Sequence, residues 1–211
     1  SDVYKRQGML YALGARFYDL DDNDLNPIAE NMERVARADI SGLDRRLRDV
    51  KIVIATSTFK TLFGENSFLE DRVYRKGASD LDTARLFKGS KNFKKIIEDE
   101  LGTGSVDMPG LGSGGGVAWA LYLFFKAKIT KSMDFMMKTL DFEKLIRDKD
   151  VLILGENVEQ FGAYSSQNVA KLAKRYNKDL EIIFLEDASN KKVEDKGDFD
   201  KIISYKLGDT F

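Results

Sequence analysis

The residues most able to do chemistry form a glycine-rich run, Pro109-Gly110-Leu111-Gly112-Ser113-Gly114-Gly115-Gly116, that leads directly into an apolar stretch starting at Val117. Glycines let backbone N–H groups come close to an anion, and a helix N-terminus adds partial positive charge. Gly110, Gly112, Gly114 and Gly115 could therefore cradle a phosphate or a carboxylate. The same run also reads as a tight turn that lets a buried helix pack closely, and the residues alone leave both readings open. Gly110, Gly112 and Gly115 fit the spacing G-x-G-x-x-G of dinucleotide-binding loops, but Val106-Asp107-Met108-Pro109 is a poor preceding strand, so an NAD(P) oxidoreductase is a distant reading. No Gly-Lys-Ser/Thr closes the run, which excludes a Walker loop.

A second candidate is Leu154-Gly155-Glu156-Asn157, placed between an apolar strand and a helix. Open α/β sheets bind ligands at the carboxyl ends of their parallel strands. Glu156 there could hold Mg²⁺ or act as a base, or it could be an exposed loop acid. A third is Lys76-Gly77, which follows Arg72 and Arg75. Such a basic cluster beside a glycine suits phosphate contact, and equally suits a surface turn. Asp19, Asp21, Asn23 and Glu30 fall at calcium-loop spacing, but Asp24 replaces the required glycine, and a hairpin turn is the better reading.

Composition narrows the chemistry further. The chain has 211 residues with no cysteine and no histidine. Disulfides, thiol nucleophiles and Cys/His zinc sites are excluded, and a general base must be Asp, Glu, Lys or Tyr. The formal net charge is −1, with basic and acidic residues interleaved, which offers no pull toward nucleic acid or an anionic membrane. The longest apolar run, Val117 to Phe125, is too short to cross a bilayer. These features predict a soluble cytoplasmic protein. Ser1 to Gln7 read as a non-native leader resembling a translated adapter remnant, with the gene beginning further upstream.

The elements that must position these residues alternate. Met9 to Ala15 reads as a short helix running into a strand at Arg16-Phe17-Tyr18. Lys51 to Ala55 reads as a buried strand. Phe93, Ile96, Ile97 and Leu101 share one helix face, and Gly102 stops that helix. Val117 to Ile129 reads as a helix that is apolar nearly all round. Phe142, Leu145 and Ile146 lie on a short helix started by Asp141. Val151 to Leu154, Leu180 to Leu185 and Ile202 to Tyr205 read as strands around a helix carrying Val169, Leu172, Ala173 and Tyr176. Strands alternating with helices predict an α/β fold whose parallel sheet has helices on both faces. A Gly/Ser-rich break at Gly102 to Pro109 predicts the domain boundary.

In this order the segments resemble type I glycerate kinases from Gly8 to about Tyr205. Gly8-Met9-Leu10-Tyr11-Ala12-Leu13-Gly14-Ala15 is similar to the family's G-M-x-x-A-L-G-A. Asp39-Ile40-Ser41-Gly42-Leu43-Asp44-Arg45-Arg46-Leu47 is similar to D-I-S-G-L-D-P-R-L. Lys76-Gly77-Ala78 matches the end of G-P-Q-K-G-A, the glycine run matches P-G-A-G-A-A-G-G, and Gly155-Glu156 matches the start of T-G-E-G-R-x-D. The resemblance implies an incomplete flavodoxin-like parallel sheet domain, residues 105–211, plus the rear part of a second, inserted α/β domain, residues 8–104. It implies ATP- and Mg²⁺-dependent phosphorylation of D-glycerate or a similar hydroxy acid. Glu156 would be the acid and metal ligand. Lys76 and Gly77 would contact phosphate or substrate carboxylate, and Gly110 to Gly115, with Gly155, would shape the cleft.

The chain departs from the family in ways that bear on activity. The front half, including P-D-S-F-K and G-G-S-A-T-N-D-G-G, is absent. The acid of A-C-D-V-T-N-P-L is Ser57, which cannot hold Mg²⁺ or take a proton as a carboxylate can. Asn157, Val158 and Gln160 replace the Gly-Arg and Asp after Gly155-Glu156, and Ser165-Ser166-Gln167 replaces H-G-K. The expectation is a truncated, divergent member, weak or inactive as this chain stands. The alternative is a non-catalytic protein that binds a small anion, forms a homo-oligomer, or depends on a partner supplying the missing N-terminal half.

Overall fold

The computed structural model describes residues 5–64, 67, 79–156, 164–188, 193 and 195–206. The chain divides into two compact units, Ser1–Phe135 and Met136–Phe211. The α/β class expected from the sequence is the observed one.

The first unit opens with α1 (Lys5–Ala12) and β1 (Arg16–Tyr18), which pairs antiparallel with β2 (Arg37–Asp39). Lys5–Gln7, expected to lie outside the fold, form the first turn of α1, and Arg6 and Gln7 are fully buried. The reason is helical geometry: Arg6 sits one turn before Leu10, on the face that enters the core. Its guanidinium donates to Ser90 Oγ at 2.7 Å and lies 5.7 and 5.8 Å from the rings of Phe93 and Trp119. The turn after β1 is the expected one. The Asp19 carboxylate accepts from the N–H groups of Asp21 and Asn23, each at 3.0 Å, and pairs with Arg34 at 2.9 Å. Those hydrogen bonds, led by the Asn23 N–H, hold the Asp19 carboxyl below its usual range.

Helix α2 (Asp80–Leu101) is defined at both ends by its sequence. Ser79 and Asp82 cap each other reciprocally at its start, and Gly102, at φ 62°, ends it in the left-handed region. Phe93 and Ile97 are fully buried beside Leu10, Phe17, Met32 and Trp119. The Phe17 and Phe93 rings meet edge-on, with centroids 5.1 Å apart.

The helix expected from Val117 to Ile129 begins and ends four residues earlier. Helix α3 (Ser113–Phe125) stops at Lys126, which turns left-handed at φ 52°. The following Lys128–Lys131 forms strand β4, parallel to β3 (Val53–Thr56), with Ile54 opposite Ile129. β-Branched Ile129 and Thr130 favour the pleat over another helical turn. Strand β3, expected to be buried, keeps Val53 exposed.

The expected boundary at Gly102 to Pro109 lies inside this unit. Glu98 accepts from Val106 N at 2.8 Å, and Lys94 donates to Glu98 at 2.8 Å and to Ser105 Oγ at 2.9 Å. The Asp107 carboxylate accepts from Leu62 N and Phe63 N at 2.9 and 3.1 Å. Side chains stitch the segment down despite its glycines, so the division falls after Phe135.

Helix α4 (Ser132–Thr139) runs across that division in sequence. The second unit adds α5 (Phe142–Ile146), β5 (Val151–Gly155), α6 (Tyr164–Tyr176), β6 (Glu181–Asp187) and β7 (Lys201–Tyr205). The strands form one parallel sheet in the order β5-β6-β7, as the alternation of elements predicts. Its core joins Ile182 and Phe184 to Ala170, Ala173, Ile146 and Phe199. Phe184 and Phe199 stack with centroids 4.7 Å apart. Helices were expected on both sheet faces, but among the described residues only the Ile182/Phe184 face is covered.

Candidate functional site

Two strand ends gather the polar side chains, one in each unit. In the first unit β3 ends at Thr56, which is buried. Its hydroxyl lies 2.7 Å from Ser113 Oγ, which in turn lies 3.2 Å from Thr58 Oγ1 and donates to the Thr58 carbonyl at 2.9 Å. Ser57 stands exposed between the two threonines. The glycine run is laid against the chain that follows. Gly110 N and Gly112 N both donate to the Lys60 carbonyl at 3.0 Å. A Cβ at Gly112 would stand 2.2 Å from the Thr61 carbonyl oxygen, so only glycine allows this approach.

Gly114, Gly115 and Gly116 follow at φ 63°, 70° and 84°, turning the chain into the regular part of α3. A Cβ at Gly116 would fall 2.4 Å from Arg6 Nη1. Gly115 is buried, whereas Gly114 is exposed. Gly110 and Gly112 thus spend their N–H groups and their closeness on internal packing, and Gly114 faces outward.

In the second unit Glu156 follows β5 and is half-buried. Its Oε2 accepts from Ser166 N at 3.0 Å. Ser166 lies in the first turn of α6, where backbone N–H groups lack intrahelical partners and favour negative charge. Gly155, at the end of β5, is exposed and sits opposite Leu185. That register places Glu156 and Glu186 one step further on, at neighbouring strand ends. Glu186 is buried, and its carboxylate accepts from Val193 N at 3.1 Å and from the Ser204 hydroxyl.

Lys76 and Gly77, with Arg72 and Arg75, lie outside the described residues. Glu156 and the glycine run belong to different units. Among the described residues no group of three or more acids could hold a metal ion. A groove of about 660 Å³ lined by Val106, Met108, Tyr122, Lys126 and Ile129 contains none of the residues singled out from the sequence. No described helix is long and apolar enough to cross a membrane.

Reasoning from residue types missed Thr56, Thr58, Ser113 and Glu186. The signal for the hydroxyls was present, since Thr56-Ser57-Thr58 directly follows a β-branched run and Ser113 sits inside the glycine run. Glu186 was legible as well, because Leu185-Glu186-Asp187 ends an apolar strand much as Gly155-Glu156 does.

Parallel strands with polar groups collected at their carboxyl ends, backed by helices, define an α/β protein of the kind that holds small ligands at strand ends. Residues 6–205 match the sequence model of the Glycerate kinase family. The chain belongs to that family. It is 32% identical over 178 residues to a glycerate kinase of Bacillus subtilis, covering 81% of this chain and 45% of the relative. It is 31% identical over 181 residues to a glycerate 2-kinase of Escherichia coli, covering 81% and 46%. A solved structure from Salmonella typhimurium assigned as a glycerate kinase 2 superposes with a TM-score of 0.77 at 29% identity, covering 95% of this chain and 53% of the other. The chain spans about half the length of the curated relatives it matches.

Proposed function

We propose that the chain is a divergent part of a glycerate-kinase-type phosphotransferase, which transfers the ATP γ-phosphoryl group to D-glycerate or a similar hydroxy acid. In this reading the 211 residues act weakly or not at all by themselves. The observation that carries it is the family match over residues 6–205, a span that includes the glycine run and Gly155-Glu156. A cytoplasmic setting fits the absence of cysteine.

The residues fit Mg²⁺ as nucleotide kinases use it, through one or two carboxylates plus substrate phosphates rather than a protein cage. Glu156 would supply one carboxylate, and the ion would neutralise charge on the transferred phosphoryl group. Glu156 itself stays oriented by the Ser166 N–H. The exposed backbone at Gly114, before α3, would face the anionic ligand, and Lys76 with Gly77 would contact phosphate or substrate carboxylate. Gly110, Gly112 and Gly115 would hold the shape of the loop.

A second reading is a non-catalytic small-anion binder. It is favoured by Ser57, an exposed serine at the end of β3 where the family's acid would stand, and by the internal use of the Gly110 and Gly112 N–H groups.

A coupled ADP assay with D-glycerate and Mg-ATP on Ser57→Asp and on the unchanged chain separates the two. Restoring one charge-bearing group should raise turnover about 100-fold, the scale on which one transition-state contact acts. Background rates in both proteins even when each is fused to the part of the Bacillus subtilis relative that this chain does not span, together with a thermal shift on adding Mg-ATP, would overturn the catalytic reading and leave the binder.

A further inference from the structure

The groove in the first unit takes no part in the reading above, yet its lining is that of a ligand site. Its volume is about 660 Å³, and small-molecule sites span roughly 300–1,000 Å³. It opens between the segment after α2 and the end of α3, where that helix gives way to β4. Its apolar lining comes from Val106, Met108, Leu123 and Ile129, with the ring of Tyr122. Ligand sites are lined mainly in this way, and a few polar groups then orient what binds. Here those groups are Lys126 and Lys128.

The charge in the groove is of one sign. Both lysines are exposed, and among the described residues neither forms an ion pair and no acid lines the groove. The acids nearby in sequence are engaged elsewhere: Glu98 holds Lys94 and Val106 N, and Asp107 holds Leu62 N and Phe63 N. The C-terminus of α3 carries about half a negative charge, which two ammonium groups outweigh. That balance, with the apolar lining, suits a single carboxylate on an apolar body. A phosphate ester would gain more from arginine forks or helix-start N–H groups, and the described lining has neither.

The groove also abuts the glycine run. A Cβ at Gly110 would stand 3.1 Å from Ile129 Cγ2, and the Met108 carbonyl accepts from Leu111 N at 3.1 Å. A ligand held against Met108 and Ile129 therefore steadies residues 108–111.

We propose that this groove binds an amphipathic monocarboxylate. The apolar body lies along Val106, Met108, Leu123 and Ile129, and the carboxylate meets Lys126 and Lys128. The site uses neither Glu156 nor the hydroxyls at the end of β3, so the inference does not rest on the phosphotransferase reading.

Octanoate is the probe, added to the full 211-residue chain and followed by calorimetry and hydrogen exchange. Saturable one-to-one binding is expected, with slower exchange at 103–111 and 122–129. Affinity should rise about fourfold per methylene from hexanoate to octanoate, as each CH₂ leaves water. Octanol keeps the body and lacks the charge, and should bind about tenfold more weakly. Lys126→Gln/Lys128→Gln should weaken octanoate by about the same factor, the scale of two exposed charge contacts, and leave octanol unchanged. Because both lysines are exposed, the double variant should melt as its parent does. No saturable binding of octanoate overturns the proposal. So does protection confined to 151–155 and 201–205, which would place the ligand on the exposed apolar sheet residues of the second unit. Equal affinity for octanol and octanoate, or an affinity for octanoate unchanged in the double variant, overturns it as well, since the lysines would then recognise nothing.

Discussion

The two units make cores of opposite kinds. The first has strands of only three or four residues, and its interior is carried by helices. Trp119, Phe93, Phe17 and Leu10 come from α3, α2, β1 and α1, so four separate elements share one core. Arg6 is buried within it, against two aromatic rings. The second unit inverts this. Strands of five to seven residues form a parallel sheet, and side chains of α5 and α6 with a few from loops cover it from one side. A core shared by many elements tolerates the loss of one contact better than a single layer does, because neighbouring elements still bury one another.

Truncating one large residue in each core tests that contrast and carries the largest expected effect. Trp119→Ala and Phe184→Ala should each cost about 3–5 kcal/mol as buried aromatic deletions. In the first unit that loss should lower the melting midpoint while leaving a folded core. In the second it should remove most of the stability of a small single-layer core and unfold it. Hydrogen exchange read by mass spectrometry reports both units at once. Equal protection of residues 164–188 in Phe184→Ala and in the unchanged chain would break the comparison.

The sequence made the second unit legible and the first one only in part. Periodicity located β5, α6, β6 and β7 because each is long enough for one pattern to repeat, and Gly102 and the Phe93/Ile97 face located the end of α2. What escaped depends on neighbours. Helix α3 ends at a lysine in the left-handed region, which no residue type announces, so β4 was hidden inside an apolar run. Arg6 looks like a surface residue until Leu10 fixes the helix face. The glycine run could not be resolved between ligand loop and packing turn, because the difference lies in the Lys60 carbonyl and the Thr61 backbone, some fifty residues earlier in the chain. Glu156 was found as an acid at a strand end, but its bond to Ser166 N required the first turn of α6 to be placed.

Glycines sharpen the contrast at a smaller scale. Gly112 closes a backbone contact in the first unit, whereas Gly155 opens onto the bare face of the second. Gly112→Ala forces the loop off the Thr61 carbonyl and should cost about 1–3 kcal/mol, as overpacking does. Gly155→Ala would bring its Cβ only into ordinary contact with the Leu185 carbonyl oxygen, 3.6 Å away, and should gain about 0.4–1 kcal/mol by restricting the unfolded chain. Paired thermal melts of the two variants read the difference. A Gly112→Ala protein as stable as its parent would mean that the glycine run is free to move and does not lock against residues 60–61.

The smallest effect concerns acid. In the second unit Lys174 lies 2.8 Å from Asp200, whose carboxylate also accepts from Ile182 N at 2.7 Å. Lys174 first, and then that N–H, hold the Asp200 carboxyl below its ordinary 3.8. A carboxyl whose pKa is lower in the folded chain contributes its stability fully above the ordinary value. It loses that contribution as pH falls through the depressed one. Asp200 pins the start of β7 to β6, so the second unit should loosen below about pH 4 by this group's share, about 0.5 kcal/mol for a partly exposed pair. Asp200→Asn should remove that share at neutral pH and flatten the acid response of the sheet. Trp119 is the one tryptophan and lies in the first unit, so its fluorescence reports that unit alone. Hydrogen exchange over 181–187, followed with Trp119 emission from pH 6 to pH 3, separates the units. If Asp200→Asn changes the Trp119 transition and leaves the exchange of β6 untouched, the ion pair is not what fastens the sheet.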